Sequence, residues 1–307
     1  MKLSKFENGN RKGGCYLEQK EEMKGATDIL VFDVDGVLID TRDSFIAAIA
    51  ETVRWSWSNL LEGDVDCDGF TSEYFNIAKK HPAFNNDVVV TWVMLRAMRR
   101  AGRKSMKEAF PSPEEWKKEL DTFPPGEVVE KFAGNDTQTL PFNEVLSVFD
   151  EIYLGTEIYT ECKGKARGAG GEGLWKLEAP GTCMDWKELG LPAGIYTGRS
   201  RDEMAVAFRT LAWHDFPGDM LICSDDGILK PSPEGLAILC ERSGAKYPTF
   251  FGDTASDLAA WTAFGKGGFI AVGPILEAES RRGGFLHFNT LEEALFRTKE
   301  RINLIKC

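Results

Sequence analysis

The residues best equipped for chemistry lie in the run Asp33-Val34-Asp35-Gly36. Two carboxylates separated by one residue project to the same side of an extended chain, because successive side chains alternate. Two acids facing one site suit a divided task. One attacks phosphorus; the other, kept protonated by its surroundings, gives a proton to the departing oxygen and later takes one from water. Gly36 lets the backbone turn close to a phosphate. Taken alone, the run reads equally well as a strand ending in a capped turn with solvated aspartates.

Three later runs carry complementary groups. Thr197-Gly198-Arg199 places a hydroxyl and a glycine after the apolar Ile195-Tyr196, apt for binding a phosphate oxygen and equally for capping a helix. In Leu229-Lys230-Pro231-Ser232-Pro233, Lys230 offers a point charge to phosphoryl oxygens and to an aspartate nucleophile, and the two prolines stiffen its loop. Asp253 and Asp257 are four residues apart, so a helical turn brings their carboxylates to one side. Hard oxygen donors of this kind suit Mg2+.

These groups need elements that hold them. Residues 29–32 form a short continuous apolar run ending at Asp33, as a buried parallel strand does. Comparable runs occupy 193–196, 220–223, 249–251 and 269–272, with helical patterns over 200–213, 232–243 and 256–264 between them. Alternation of this kind predicts an α/β fold, a doubly wound parallel sheet whose ligands gather at the carboxyl ends of the strands. Every chemical run above falls at such an end.

The alternation breaks between residues 41 and 189, where helical patterns cover 44–61, 87–101, 114–120 and 142–154. The expected organisation is therefore a polar N-terminal extension (1–26), an α/β core (27–40 and 190–307) and an inserted, mainly helical domain (41–189). Six of the eight tryptophans fall in that insert, which predicts an aromatic core of its own. Residues 164–173 contain five glycines, and the expectation there is a mobile loop. Asn85-Asn86-Asp87 reads as an N-cap cluster for the helix over 87–101, and its polar groups are also candidates for contacting a substrate.

The stretches FDVDGVLIDT, YTGRS, LKPSP and FGDTASDL, in that order, resemble the four signature motifs of the haloacid dehalogenase superfamily. A helical insert between the first and second motifs resembles the type I cap of its subfamily I. The resemblance implies a Rossmann-like core and a Mg2+-dependent phosphatase acting on a small phosphorylated metabolite through an aspartyl phosphate. It makes Asp33 the nucleophile, Asp35 the acid/base, and Thr197 and Lys230 the phosphate binders, with Gly36 and Gly198 beside them. Asp33, Asp253 and Asp257, with Asp35 through its backbone carbonyl, would hold the metal. A phosphomutase would share this core. A dehalogenase would leave Asp35 without an alkoxide to protonate, and a phosphonate hydrolase would need an amine from the cap, for which no distinctive candidate stands out. A non-catalytic binding or regulatory protein on the same fold is the remaining alternative.

Composition narrows the partners. A net charge of -11 over 307 residues disfavours the backbone of a nucleic acid. No stretch approaches the roughly 20 apolar residues that span a bilayer, and the first 25 residues lack an apolar signal core, so a cytoplasmic monomer or homodimer is expected. Seven scattered cysteines without a C-x-x-C pair read as ordinary thiols. Asp64 to Gly69 matches the first half of a calcium loop, but Phe75 stands at the closing position, which favours a solvated acidic turn. The basic run Arg96, Arg99, Arg100, Arg103 and Lys104 reads as a solvated helix end, or as an attractor for an anionic substrate.

Overall fold

The computed structural model describes residues 27–124 and 140–306, with side chains through residue 298. The N-terminal extension lies outside the described residues. Six parallel strands form one sheet in the order β5-β4-β1-β6-β7-β8. They are β1 (Ile29–Phe32), β4 (Ala193–Tyr196), β5 (Leu221–Ile222), β6 (Pro248–Gly252), β7 (Gly268–Val272) and β8 (Leu286–Phe288). The chain runs from β1 outward to β4 and β5, then returns to β6 on the other flank, so the strand order reverses between β1 and β6. Ligands of open α/β sheets gather at such a switch point.

Both faces of this sheet are covered, which is why its strands are apolar throughout rather than alternating. Leu30, Phe32, Ile195, Phe251 and Ile270 point to one face, against Met204 and Leu211 of helix α8 (Arg201–Leu211) and Leu291 and Leu295 of α12 (Leu291–Lys306). Ile29, Val31, Tyr196, Phe250 and Phe269 point to the other, against Leu236 and Leu239 of α9 (Glu234–Ser243) and Ala260 of α10 (Ala255–Phe264). Phe32 and Phe251 stack across β1 and β6 with ring centroids 4.8 Å apart. That contact fixes the two strand ends from which the acids project.

A second, helical layer has its own core. It contains α1 (Ser44–Asn59), α2 (Ser72–Lys79), α3 (Asp87–Arg100), α4 (Met106–Ala109), α5 (Pro113–Leu120), α6 (Phe142–Leu154) and α7 (Thr156–Lys163). In α1 the buried Phe45, Ala48, Ile49, Thr52, Val53 and Ser56 recur at helical spacing, and α3 is buried along most of its length between α1 and α6. The buried indoles each find an acceptor: Trp57 donates to the Lys104 carbonyl, Trp92 to Leu140 and Trp116 to Tyr74. For these three, aromatic bulk is accommodated with the N–H satisfied, whereas the buried N–H of Trp175 has no hydrogen-bond partner. Two short strands, β2 (Ile39–Asp40) and β3 (Ala179–Pro180), pair antiparallel where the chain leaves the sheet layer and returns. A further short helix, α11 (Glu277–Ser280), precedes β8. No helix among the described residues is long and apolar enough to cross a membrane.

The glycine-rich stretch 164–173 corrects the expectation of a mobile loop. The fully buried Glu151 carboxylate accepts hydrogen bonds from the backbone N–H groups of Arg167, Gly168, Ala169 and Gly170, at 2.7 to 3.1 Å. Two of its glycines allow close approach. A Cβ at Gly170 would stand 2.4 Å from the Glu151 carbonyl oxygen, and one at Gly173 would stand 2.5 Å from that of Leu154. Composition alone could not reveal the anion at the centre. The acidic turn at Asp64 is likewise tied down, with the Asp66 carboxylate accepting from Ser105 Oγ and the Lys107 N–H. Replacing Glu151 with Ala would strand four donors, so Glu151→Ala is expected to cost about 2–4 kcal/mol in urea unfolding. An unchanged midpoint would show that the loop is not held this way.

Candidate active site

β1 delivers Asp33 to the sheet's carboxyl edge, where its N–H donates to the Phe251 carbonyl. The side chain is almost fully buried, and its Oδ1 accepts from the Val34 N–H at 2.7 Å and meets Lys230 Nζ at 2.8 Å. Lys230 Nζ also donates to Asp257 Oδ1 at 2.6 Å, bridging two of the predicted acids. The other Asp257 oxygen completes a capping box at the start of α10, accepting from Thr254 Oγ1 and N and, at 3.2 Å, from Asp253 N. A single sequence feature, Thr-x-x-Asp, thus starts the helix and aims the carboxylate.

Carboxylate oxygens of Asp33, Asp253 and Asp257 lie within 4.8 Å of one another. Among the described residues one ammonium, that of Lys230, touches two of these three carboxylates. Burial pushes the Asp33 carboxyl up to about 7, an effect that Asp257 and Asp35 reinforce and Lys230 opposes. Burial, with Asp257 and Asp33 adding to it and Lys79 and Lys230 opposing, raises Asp253 well above the carboxylate range. Burial opposes the Lys230 charge, but Asp257 and Asp33 outweigh it and hold its pKa above that of a free lysine. Asp253 Oδ1 is buried and has no hydrogen-bond partner. An orphaned carboxylate oxygen beside two more acids fits a hard divalent cation. Gly36, at φ +72°, makes room for this arrangement, since a Cβ there would lie 2.2 Å from Asp253 Oδ2.

Asp35, two residues beyond Asp33, stands in a different environment. Arg199 Nε donates to its Oδ1 at 2.7 Å, and the same buried guanidinium donates to Glu178 Oε1 at 2.7 Å and to the Tyr153 hydroxyl at 2.8 Å. Tyr153 donates in turn to Glu178 Oε1 at 2.9 Å. Arg199 has no role in the sequence reading beyond its place in YTGRS, and Glu178 belongs to no motif. The one available signal was an arginine at a strand end whose apolar neighbours predict burial, since a buried guanidinium requires carboxylate partners. Thr197 is also buried at this strand end, its Oγ1 accepting from the Arg199 N–H.

The helical layer reaches the same place through the predicted Asn85-Asn86-Asp87 cluster, whose members divide the work. Asn86 is the N-cap of α3, accepting from the Val88 and Val89 N–H groups. Asn85 crosses to the sheet layer: its Oδ1 accepts from Ser256 Oγ at 2.7 Å, and its amide abuts Gly198, where a Cβ would lie 2.5 Å from Nδ2. Asp87 is buried against Lys79, whose Nζ lies 3.0 Å away and donates to the Asn85 carbonyl at 2.7 Å. Lys79 is the buried amine from the insert that sequence reasoning did not single out. Its position at the last turn of an otherwise polar helix resembled an ordinary solvated lysine.

Between the layers lies a cleft of about 190 Å3. Asp35, Gly198 and Arg199 line its floor, and Phe45, Phe142 and Phe149 contribute from the helical side. Asp150 of α6 and Glu203 of α8 also line it, from opposite layers. Burial raises the Asp150 pKa to about 6, with Lys163 opposing and Asp202 and Asp225 adding to the shift. Burial and then Asp150 raise Glu203 to about 7, against Arg199 and the Ser200 N–H.

With this geometry in view, the comparisons with known proteins are direct. The model of the haloacid dehalogenase-like hydrolases matches residues 27–265. The chain belongs to that family. Among solved structures it is similar to phosphatase Tt82 from Thermococcus thioreducens, with 23% identity and a TM-score of 0.54 over 89% of this chain and 99% of that one. It is also similar to a subfamily IA, variant 1, hydrolase of the superfamily from Geobacter sulfurreducens, with 18% identity and a TM-score of 0.42 over 92% and 97% of the two chains. No curated protein matches.

The raised acids across the cleft give a sign for the pH dependence of stability. Their folded pKa values, about 6 and about 7, exceed the ordinary 3.8 and 4.5. Above pH 4 the folded state therefore keeps protons that the unfolded state has released, and this contribution is lost as pH rises toward 7. Asp150→Asn removes one charge of the pair. The variant is expected to gain stability relative to the parent as pH goes from 5 to 8, read from denaturation midpoints, and parallel curves would refute the assignment.

Proposed function

We propose that this hydrolase is a Mg2+-dependent phosphatase that cleaves the monoester of a small phosphorylated metabolite, with Asp33 as the nucleophile. The observation that carries this reading is the buried Asp33, bridged by Lys230 to Asp257 and standing beside the unpartnered Asp253 Oδ1. An aspartate held among cations can approach a dianionic phosphoryl group, which a bare cluster of carboxylates would repel.

In the first step an Asp33 oxygen forms a bond to phosphorus as the bond to the alcohol oxygen breaks, and Asp35 transfers its proton to that oxygen. In the second, water gives a proton to Asp35 and its oxygen attacks phosphorus, breaking the bond to Asp33 and releasing phosphate. Lys230 neutralises the phosphoryl oxygens, and Thr197 with the backbone at Gly36 and Gly198 orients them. The carboxylates of Asp33, Asp253 and Asp257, together with the Asp35 carbonyl, would hold Mg2+. When bound, the ion supplies the positive charge that Lys230 alone leaves short.

The helical insert, residues 41–189, serves as the cap. Asn85 docks it on Gly198 and Ser256, and closure shields the phosphoryl group from bulk water. Arg199 positions Asp35 and takes its own position from Glu178, the residue before β3, and from Tyr153 of the cap helix α6. The arrangement of the general acid is thus tied to the seating of the cap.

Hydrolysis of p-nitrophenyl phosphate should require Mg2+, and Asp33→Asn should lower it by at least ~1,000-fold while far-UV circular dichroism stays that of the parent. Retained turnover in that variant would remove Asp33 from the mechanism. Glu178→Gln keeps the shape but halves the anionic support of Arg199, so kcat is expected to fall about tenfold or more with KM within about twofold. A rise in KM at constant kcat would instead assign Glu178 to substrate binding.

A further inference from the structure

The cleft above Asp35 has a charge pattern that the phosphoryl chemistry does not need. Besides Asp35, four carboxylates line it: Asp87, Asp150, Glu203 and Asp225. Among the described residues only two cations do so, Lys163 and Arg199, and both are already committed. Arg199 is held by Asp35 and Glu178. Lys163 pairs with Asp202 at 3.0 Å and lies 3.9 Å from Asp150. Asp87 is paired with Lys79, but the other acids still outnumber the cations, so among the described residues a carboxylate or second phosphate on the leaving group would meet excess negative charge, at a site where burial weakens solvent screening.

The helical layer adds apolar surface, with Phe142, Leu146 and Phe149 lining the cleft beside Asp150 of the same helix. Aromatic faces of this cleft already accept a cation. The Arg199 guanidinium lies 5.3 Å from the Phe45 ring centroid and 5.7 Å from that of Tyr153. Carboxylates from both layers with rings beside them are what an ammonium group on a short carbon chain requires. The volume, about 190 Å3, falls below the range of about 300–1,000 Å3 typical of drug-sized ligands, which limits the alcohol to a small one.

Resting on the phosphatase reading above, we propose that the substrates are phosphate monoesters of small amino alcohols, bound with the protonated amine among Asp150, Glu203 and Asp225. The phosphate lies at Asp33 and Lys230, beyond the Asp35 end of the cleft, and the amine lies between Asp150 of the helical layer and Glu203 and Asp225 of the sheet layer.

The test compares kcat/KM, with Mg2+ at pH 7.5, for O-phosphoethanolamine, glycerol 1-phosphate and 2-phosphoglycolate, with p-nitrophenyl phosphate as a reference for the chemistry. The aminated ester is expected to exceed the neutral one at least tenfold and the carboxylated one at least a hundredfold. Asp150→Asn and Asp225→Asn should each lower the ratio of aminated to neutral ester at least fivefold, a readout that a general loss of folded protein does not move. Turnover of p-nitrophenyl phosphate with equal or better use of phosphoglycolate would overturn the substrate class and leave the phosphatase reading standing. Absence of all turnover would overturn the phosphatase reading itself. Calorimetric titration of O-phosphoethanolamine and phosphoglycolate into Asp33→Asn reads the cleft without turnover: tighter binding of the aminated ester supports the assignment, and equal binding, weaker binding or none sinks it.

Discussion

Like-charge crowding at the carboxyl edge of β1 and β6 is the constraint around which the rest of the molecule is arranged. Three carboxylates within 4.8 Å of one another, largely out of water, cannot all ionise on their own. Every neighbouring feature answers that problem. Lys230 lies across two of them, the α10 capping box supplies N–H and O–H donors to Asp257, and Gly36 yields space to Asp253. The rigid stack of Phe32 on Phe251 below prevents the acids from separating to relieve their repulsion. What crowding the protein does not offset is left at Asp253, whose unpartnered carboxylate oxygen beside two more acids fits a hard cation.

A second network obeys the opposite rule, one cation amid several acceptors. Arg199 is buried in the sheet layer's edge with Asp35, Glu178 and Tyr153 around it. A guanidinium is suited to this because its planar fork serves three partners at fixed angles. One of those partners belongs to the α/β core, one to the segment returning from the insert and one to helix α6. The two networks meet at Asp33 and Asp35, two residues apart, which is how a single turn of chain hosts a carboxylate among anions and another beside a cation.

Much of this was legible in the amino-acid order. β1, β4, β6 and β7 appear where short apolar runs predict them, and the strand-end acids sit where those runs end, because a strand buried on both faces leaves a continuous signal. Helices α1, α3 and α6 follow the apolar spacing closely. β8 was not legible, since Leu286-His287-Phe288 is three residues long and carries a polar residue in the middle. Nor were α2 and α7, short helices with few buried side chains. Contacts between distant segments left the least trace. Glu178 reaches Arg199 across 21 residues, Glu151 organises a loop some 16 residues on, and Lys79 acquires its meaning only from Asp87 and Asn85. Local pattern reports which face a residue takes, not which partner waits there.

The seat of Asn85 on Gly198 has a consequence for how variation at this position would be read. Gly198 belongs to the sheet layer, yet the space beside it is filled by a side chain of the helical layer, at a distance shorter than a methyl group tolerates. Even alanine there would press on the end of the Asn85 side chain, which would have to shift from its hydrogen bond to Ser256 to admit it. A second change that trims Asn85 would be the natural compensation for a side chain at Gly198. The two positions form one joint, and a substitution at either is tolerated only on the terms set by the other.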